Sequence, residues 1–77
     1  MIGNIRWVLF EEKGMWVGQI LEHDIAAQGD DPDEVRSELL RGLAAHITLD
    51  IYSGIQPLSD IPPAPQEYFD RFRREEP

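Results

Sequence analysis

The stretch Gln28-Gly29-Asp30-Asp31-Pro32-Asp33-Glu34-Val35 decides where the strands end and the main helix begins. Asp31 is a favoured N-cap residue, and Pro32 suits the first helical position because the N–H that proline lacks would have no partner there. Glu34 follows the cap by three residues, which is the spacing of a capping box. The segment predicts a helix that begins at Pro32.

Apolar side chains recur at intervals of three and four residues after this cap, which is the pattern of one helical face. Residues 47–52 also alternate like a strand, but the apolar stripe continues to Gly54, which suits a C-terminal cap. We therefore predict one helix from Pro32 to about Tyr52. The stripe consists of Val35, Leu39, Leu40, Leu43, Ala44, Ile47 and Ile51.

The residues before the cap predict an antiparallel sheet. Ile5 to Glu11 and Met15 to Leu21 are rich in β-branched and aromatic residues, and Gly14 can close a short hairpin turn with a bulge between them. Ile25 to Gln28 is a short third strand that ends at Gly29. The predicted fold class is α+β, with the order β-β-β-α and a short C-terminal helix.

Both faces of the predicted hairpin are apolar. Side chains alternate across a strand, so Trp7 and Leu9 face one way while Val8 and Phe10 face the other. One helix covers only one face, and a solvated antiparallel face is normally polar. The second face therefore needs another layer, which the C-terminal segment, a second subunit or both would supply.

We divide the chain into a β-β-β-α domain at residues 1–54 and a C-terminal segment at residues 55–77. Residues 56–65 contain four of the six prolines and predict an extended connector. The helix that follows carries aromatic residues on one side, at a spacing of four. The candidate contacts with a partner or second subunit are Trp7, Trp16, Tyr68, Phe69 and Phe72.

Composition narrows the possible partners. The chain has 77 residues, no cysteine, 15 acidic and 7 basic side chains, and a net charge of −8. A domain of this size buries only about 60–65% of its unfolded surface, so we predict a homodimer or higher homo-oligomer. The charge argues against nucleic-acid binding through this chain, because phosphate affinity comes mainly from Lys and Arg. A basic protein partner is more plausible.

We predict neither a membrane segment nor a secretory leader. No apolar run approaches the roughly 18 residues of a membrane span. The first ten residues lack a basic start followed by an apolar core and a cleavage site. We therefore expect a cytoplasmic protein.

The sequence predicts no catalytic, metal or cofactor site. The carboxylates of residues 30–34 suit the first turn of a helix better than a cation site. His23 and His46 lack a metal-ligand spacing, and the pair of His46 with Asp50 is equally explained as a helix-surface contact. The only basic cluster, Arg71, Arg73 and Arg74, suits the negative end of a short helix.

Residues 20–35 resemble the HicB-like antitoxin family, in which a strand ending in Gln-Gly-Asp precedes a helix that an acidic turn opens. The hairpin before this motif and the amphipathic helix after it are also similar, so that the resemblance covers about residues 4–52. The residues that carry the motif are Gln28, Gly29, Asp30, Asp31 and Glu34.

The resemblance implies a β-β-β-α domain related in shape to ribonuclease H but without its catalytic site. It also implies oligomerisation and a HicA-like partner, a small basic toxin that cleaves mRNA. Many members carry a C-terminal DNA-binding module, for which the 23 residues after Gly54 leave no room, so we do not expect DNA binding. The alternative is a stand-alone homo-oligomer of regulatory or unknown role without a toxin partner.

Overall fold

The computed structural model describes residues 4–75, in which a three-stranded antiparallel sheet is followed by two helices. This arrangement confirms the α+β class and the order of the elements. The central strand of the sheet is the second one. The elements are β1 (Trp7–Glu12), β2 (Met15–Ile20), β3 (Ala26–Gly29), α1 (Pro32–Tyr52) and α2 (Gln66–Glu75).

The strand bounds differ from the predicted ones by one or two residues, and the largest shift is at the start of β1. The pairing of β1 with β2 ends at Trp7 and Ile20. Beyond that pair, the Arg6 N–H donates to a Glu22 carboxylate oxygen at 2.6 Å instead of to a backbone carbonyl. The Leu21 N–H still donates to the Arg6 carbonyl at 2.9 Å, so the Glu22 side chain replaces only the return bond, which alternation cannot predict.

The hairpin turn is tighter than predicted. Lys13 and Gly14 both have positive φ, 53° and 83°, and Glu12 pairs directly with Met15. Two left-handed residues form a two-residue turn whose twist matches that of the strands, so the hairpin has no bulge.

The predicted bounds of α1 are confirmed. The side chain of Asp31 accepts a hydrogen bond from the Glu34 N–H at 2.9 Å, and Pro32 is the first helical residue. Gly54 follows the helix with φ 74°. Within residues 4–75 the reciprocal bond of a capping box is not formed, because the Glu34 carboxylate lies over Gly29 instead.

α1 covers one face of the sheet and docks on the middle of β2. Val35 and Leu39 are buried there, at 0% and 5% exposure, together with Ile20 and Ile25. Gly18 permits this close approach, because an added Cβ would lie 2.6 Å from the Val35 side chain and 2.7 Å from that of Leu39.

α2 covers the opposite face, so the C-terminal segment supplies the layer that this face required. Its aromatic residues pack against a second buried cluster of Val8, Phe10 and Leu21. The rings of Tyr68 and Phe10 are stacked with 6.3 Å between their centroids.

The connector between the helices is fastened to the rest of the chain. The Leu58 N–H donates to the Asp50 carboxylate at 2.7 Å, and the Leu58 side chain is fully buried. Farther along, the Ala64 N–H donates to the carbonyl of Leu21 at 2.9 Å. Residues 55–65 thus lead from the end of α1 to the other face of the sheet.

Candidate protein-interaction surfaces

One end of the sheet concentrates negative charge. β1 ends, β2 begins, β3 ends and α1 begins there, so turns that are distant in sequence lie at the same end. Lys13 lies in the hairpin turn, and Arg36 pairs with Asp33 at 3.1 Å. We call this surface the acidic end; its six exposed carboxylates belong to Glu11, Glu12, Asp30, Asp31, Asp33 and Glu34.

The motif residues of β3 and its turn have different environments. Gln28 and Asp30 are exposed, whereas Gly29 is buried and pairs with Trp16 across the sheet. Asp31 caps α1, and Glu34 lies over Gly29. Asp30 is therefore the motif carboxylate with the least structural engagement, while Asp31 and Glu34 also shape the turn.

The titratable groups that the sequence analysis weighed for chemistry lie apart or make structural contacts. Across residues 4–75, no three side chains of His, Asp or Glu converge as a metal ligand set would. Asp50 is engaged with the connector, and His46 is exposed. The Nδ1 atom of His23 lies 3.4 Å from the carbonyl oxygen of Ile61.

The arginine cluster of α2 contributes to packing. The Arg71 guanidinium lies 4.0 Å from the centroid of the Phe10 ring and 3.9 Å from a Glu75 oxygen. Arg71 and Arg74 also line a polar hollow of about 220 Å³ with Glu12. The positive charge of this helix therefore lies beside carboxylates.

Arg6 and Glu22 fasten α2 to the sheet edge. The Arg6 Nε donates to Glu22 at 2.5 Å, and the guanidinium lies 5.6 and 5.5 Å from the ring centroids of Phe69 and Phe72. Partial burial opposes ionisation of Glu22, but the hydrogen bonds from Arg6 outweigh it and lower the pKa of Glu22 from its ordinary 4.5.

The C-terminal half of α1 extends beyond the sheet. A helix of 21 residues is about 31 Å long, whereas strands of six residues span about 20 Å. Leu49 and Ile51 are 63% exposed and Tyr52 is 88% exposed. We call residues 44–52 the projecting half of α1.

An apolar groove of about 430 Å³ lies between the middle of α1 and the sheet. Arg36 stands at its rim, with the guanidinium 5.6 Å from the centroid of the Trp7 ring. The groove is lined by Ile5, Trp7, Ile20, Arg36, Leu39, Leu40 and Leu43.

The structure separates the five aromatic residues that the sequence nominated as contacts. Tyr68, Phe69 and Phe72 pack within the chain, and Trp7 and Trp16 are half-buried against the cluster under α1. Of the two tryptophans, Trp7 lines the groove. The sequence analysis nominated none of the most exposed large apolar residues as contacts, although a predicted helix longer than the predicted strands indicated that the last turns of α1 would project. The exposed residues are Leu40, Leu49, Ile51 and Tyr52.

Scans of the chain against protein-family models, curated proteins and solved structures gave no match. Of the helices within residues 4–75, none combines the length and the apolar character needed to cross a membrane.

Proposed function

We propose that this protein is a non-catalytic, antitoxin-like binding module that neutralises a small basic HicA-like toxin in the cytoplasm. The proposal combines the resemblance of residues 20–35 to HicB-like antitoxins with the charge of the folded domain. The observation that carries it is the acidic end, where six exposed carboxylates from two segments distant in sequence, residues 11–12 and 30–34, share one end of the sheet. The HicB-like form of the fold, related in shape to ribonuclease H, is part of the same proposal.

The acidic end suits a basic protein in two ways. Its net negative potential accelerates encounter with a cationic surface, and this acceleration falls as salt screens the charges. Its carboxylates also lie on strand ends and on a capped helix start, so that a partner meets a preformed surface. Neutralisation then requires only that the domain cover the toxin, without any reaction.

The test is co-expression with a small basic HicA-like protein from the same genome, followed by affinity capture and a growth-rescue assay. We expect co-purification, restored growth and slower association as salt rises. Failure to co-purify or to restore growth with cognate and neighbouring basic proteins would overturn the antitoxin proposal.

A charge-matched pair of variants assigns the binding to the acidic end. The triple variant Glu11→Gln, Glu12→Gln and Asp30→Asn removes three exposed carboxylates there. The control, Glu38→Gln, Asp60→Asn and Glu75→Gln, removes three exposed carboxylates elsewhere. Only the first should slow association about tenfold or more, since both change the net charge equally. Equal effects would mean that total charge, and not this surface, attracts the partner.

The alternative is a stand-alone homo-oligomer without a toxin partner. The exposed apolar side chains of the projecting half favour it, because a charged, water-soluble chain rarely exposes contiguous apolar surface without a contact to cover it. A chain that self-associates yet captures no basic protein would support this alternative.

A further inference from the structure

One flank of α1, next to the side chains that dock on the sheet, carries four uncharged residues that we call the open stripe; its Ile47 also packs against the cluster under α1. The open stripe consists of Leu40, Ala44, Ile47 and Ile51, at spacings of four, three and four residues. Leu40 and Ile51 are 62% and 63% exposed, Ala44 is exposed and Ile47 is half-buried. This spacing is that of helices that pack side by side along a seam.

The stripe continues into the groove. Leu40 belongs to both, and Leu43 lines the groove one turn before Ile47. Trp7 and Ile20 extend the apolar surface from the helix onto the sheet. The open surface is thus one continuous patch, about 16 Å long on the helix itself.

We propose that α1 of a second copy of this chain covers the stripe in an antiparallel pair about a two-fold axis between Ala44 and Ile47. That axis sets Leu40 opposite the partner copy's Ile51, and Ala44 opposite its Ile47. The small Ala44 then meets the larger Ile47 in both directions. A single stripe is therefore its own complement, as an isologous interface requires. This pairing is independent of toxin binding, which uses the opposite end of the sheet.

Charge favours a second copy over a basic partner at this place. Two copies of this chain, each with a net charge of −8, repel each other least where carboxylates are absent, and the stripe has none. For the same reason the stripe does not attract a basic partner. Antiparallel pairing also brings Arg41 level with the last turn of the other α1, which contains no basic residue. A cation there stabilises the negative end of a helix, and in one copy Arg41 has only a long contact of 3.8 Å with Glu38.

A stable pair needs more surface than the four side chains of the stripe alone, so the groove beside them belongs to the proposed interface. A standard interface takes about 800 Å² from each partner. That is about one seventh of the 5380 Å² that the described chain exposes. Leu40, Ala44 and Ile51 of α1 are exposed, and the groove with the half-buried Trp7 adjoins them.

The test uses two substitutions of equal exposure on the same helix. Ile51→Glu places a charge in the stripe, whereas Leu49→Glu places it about 160° away around the helix. We expect the wild type to sediment as a dimer, Ile51→Glu to weaken its dissociation constant by at least tenfold, and Leu49→Glu to change it by less than about twofold. Circular dichroism of each variant confirms that the monomer is folded.

A complementary mixture tests the antiparallel register. Leu40→Lys should also dissociate the homodimer. Mixing the Leu40→Lys chain with the Ile51→Glu chain should restore a heterodimer, because the introduced ammonium and carboxylate face each other in this register alone. If Ile51→Glu does not fold, Leu40→Lys and Ile51→Ser replace it in the dissociation test.

Three outcomes would overturn the proposal. The first is a wild-type monomer at several hundred micromolar, which would leave the stripe to a partner of another kind. The second is a dimer that both glutamate substitutions affect equally, or that neither affects. The third is a mixture that stays monomeric although each substitution alone dissociates the dimer.

Discussion

The two halves of α1 have opposite environments, and the more exposed half is the more apolar one. The first half is capped by Asp31 and docked on Gly18, so that Val35 and Leu39 are buried. The second half continues past the end of the strands, and Ala44 and Ile51 of the same predicted stripe are exposed there. An apolar stripe therefore identifies a contact face, but the length of the neighbouring strands decides how much of it the same chain can cover.

Truncation of one leucine in each half should give the largest difference. Leu39→Ala should reduce the free energy of unfolding by about 3 kcal/mol, because it leaves a cavity in the cluster under α1. Leu49→Ala removes the same atoms from an exposed site off the stripe and should cost less than about 0.5 kcal/mol. Chemical denaturation measures both values, and equal losses would break the comparison.

The close approach to Gly18 should give the next largest effect. Gly18→Ala should destabilise the chain by about 2 kcal/mol, because Val35 is β-branched and cannot easily move away from an added methyl group.

Gly42→Ala is the matched control. Its Cβ would meet Ile25 at 3.8 Å, an ordinary contact, and alanine favours the helix by up to about 1 kcal/mol. Thermal unfolding of the two variants should therefore shift in opposite directions; a neutral Gly18→Ala would contradict the tight docking of α1.

Loss of the helix cap should have a smaller effect. Asp31→Ala should cost about 1 kcal/mol, since it leaves the Glu34 N–H without its acceptor. Asp30→Ala removes an exposed carboxylate one residue earlier and should change stability by less than about 0.5 kcal/mol. Hydrogen exchange should quicken at the start of α1 in the first variant only.

The smallest effect concerns the ion pair between Arg6 and Glu22, which fastens α2, and not α1, to the sheet. Glu22→Gln should cost about 0.5 kcal/mol at neutral pH, because the ion pair with Arg6 is partly exposed. The folded-state pKa of Glu22 is lowered, so its stabilisation is present above the unfolded value of 4.5 and lost as pH falls through the lowered value.

Denaturation of wild type and Glu22→Gln at several pH values tests this sign. The difference in stability should be full at neutral pH and shrink as the pH falls below 4.5. Arg6→Gln should cost more than Glu22→Gln, because it also removes the guanidinium from the rings of Phe69 and Phe72. A difference that grows in acid would contradict the assigned pKa direction.

The sequence by itself determined the local structure, because its signals act over a few neighbouring residues. The Asp31 cap, the first-turn Pro32 and the terminal Gly54 were enough to predict both ends of α1. Alternation along β1 and β2 predicted two apolar sheet faces, and the aromatic spacing after residue 65 predicted a short helix. The start of β1 was missed because the side chain of Glu22 replaces the backbone partner of the Arg6 N–H.

Only the tertiary structure decided which surfaces are covered, because burial depends on the lengths and directions of elements that are distant in sequence. It placed α2 on the face of Val8 and Phe10. It brought the carboxylates of residues 11–12 and of the α1 start to one end of the sheet, and it left Leu40, Ala44 and Ile51 of α1 exposed. Local periodicity contains neither the docking position of α1 on the sheet nor the path of the connector, and these two features determine what remains exposed.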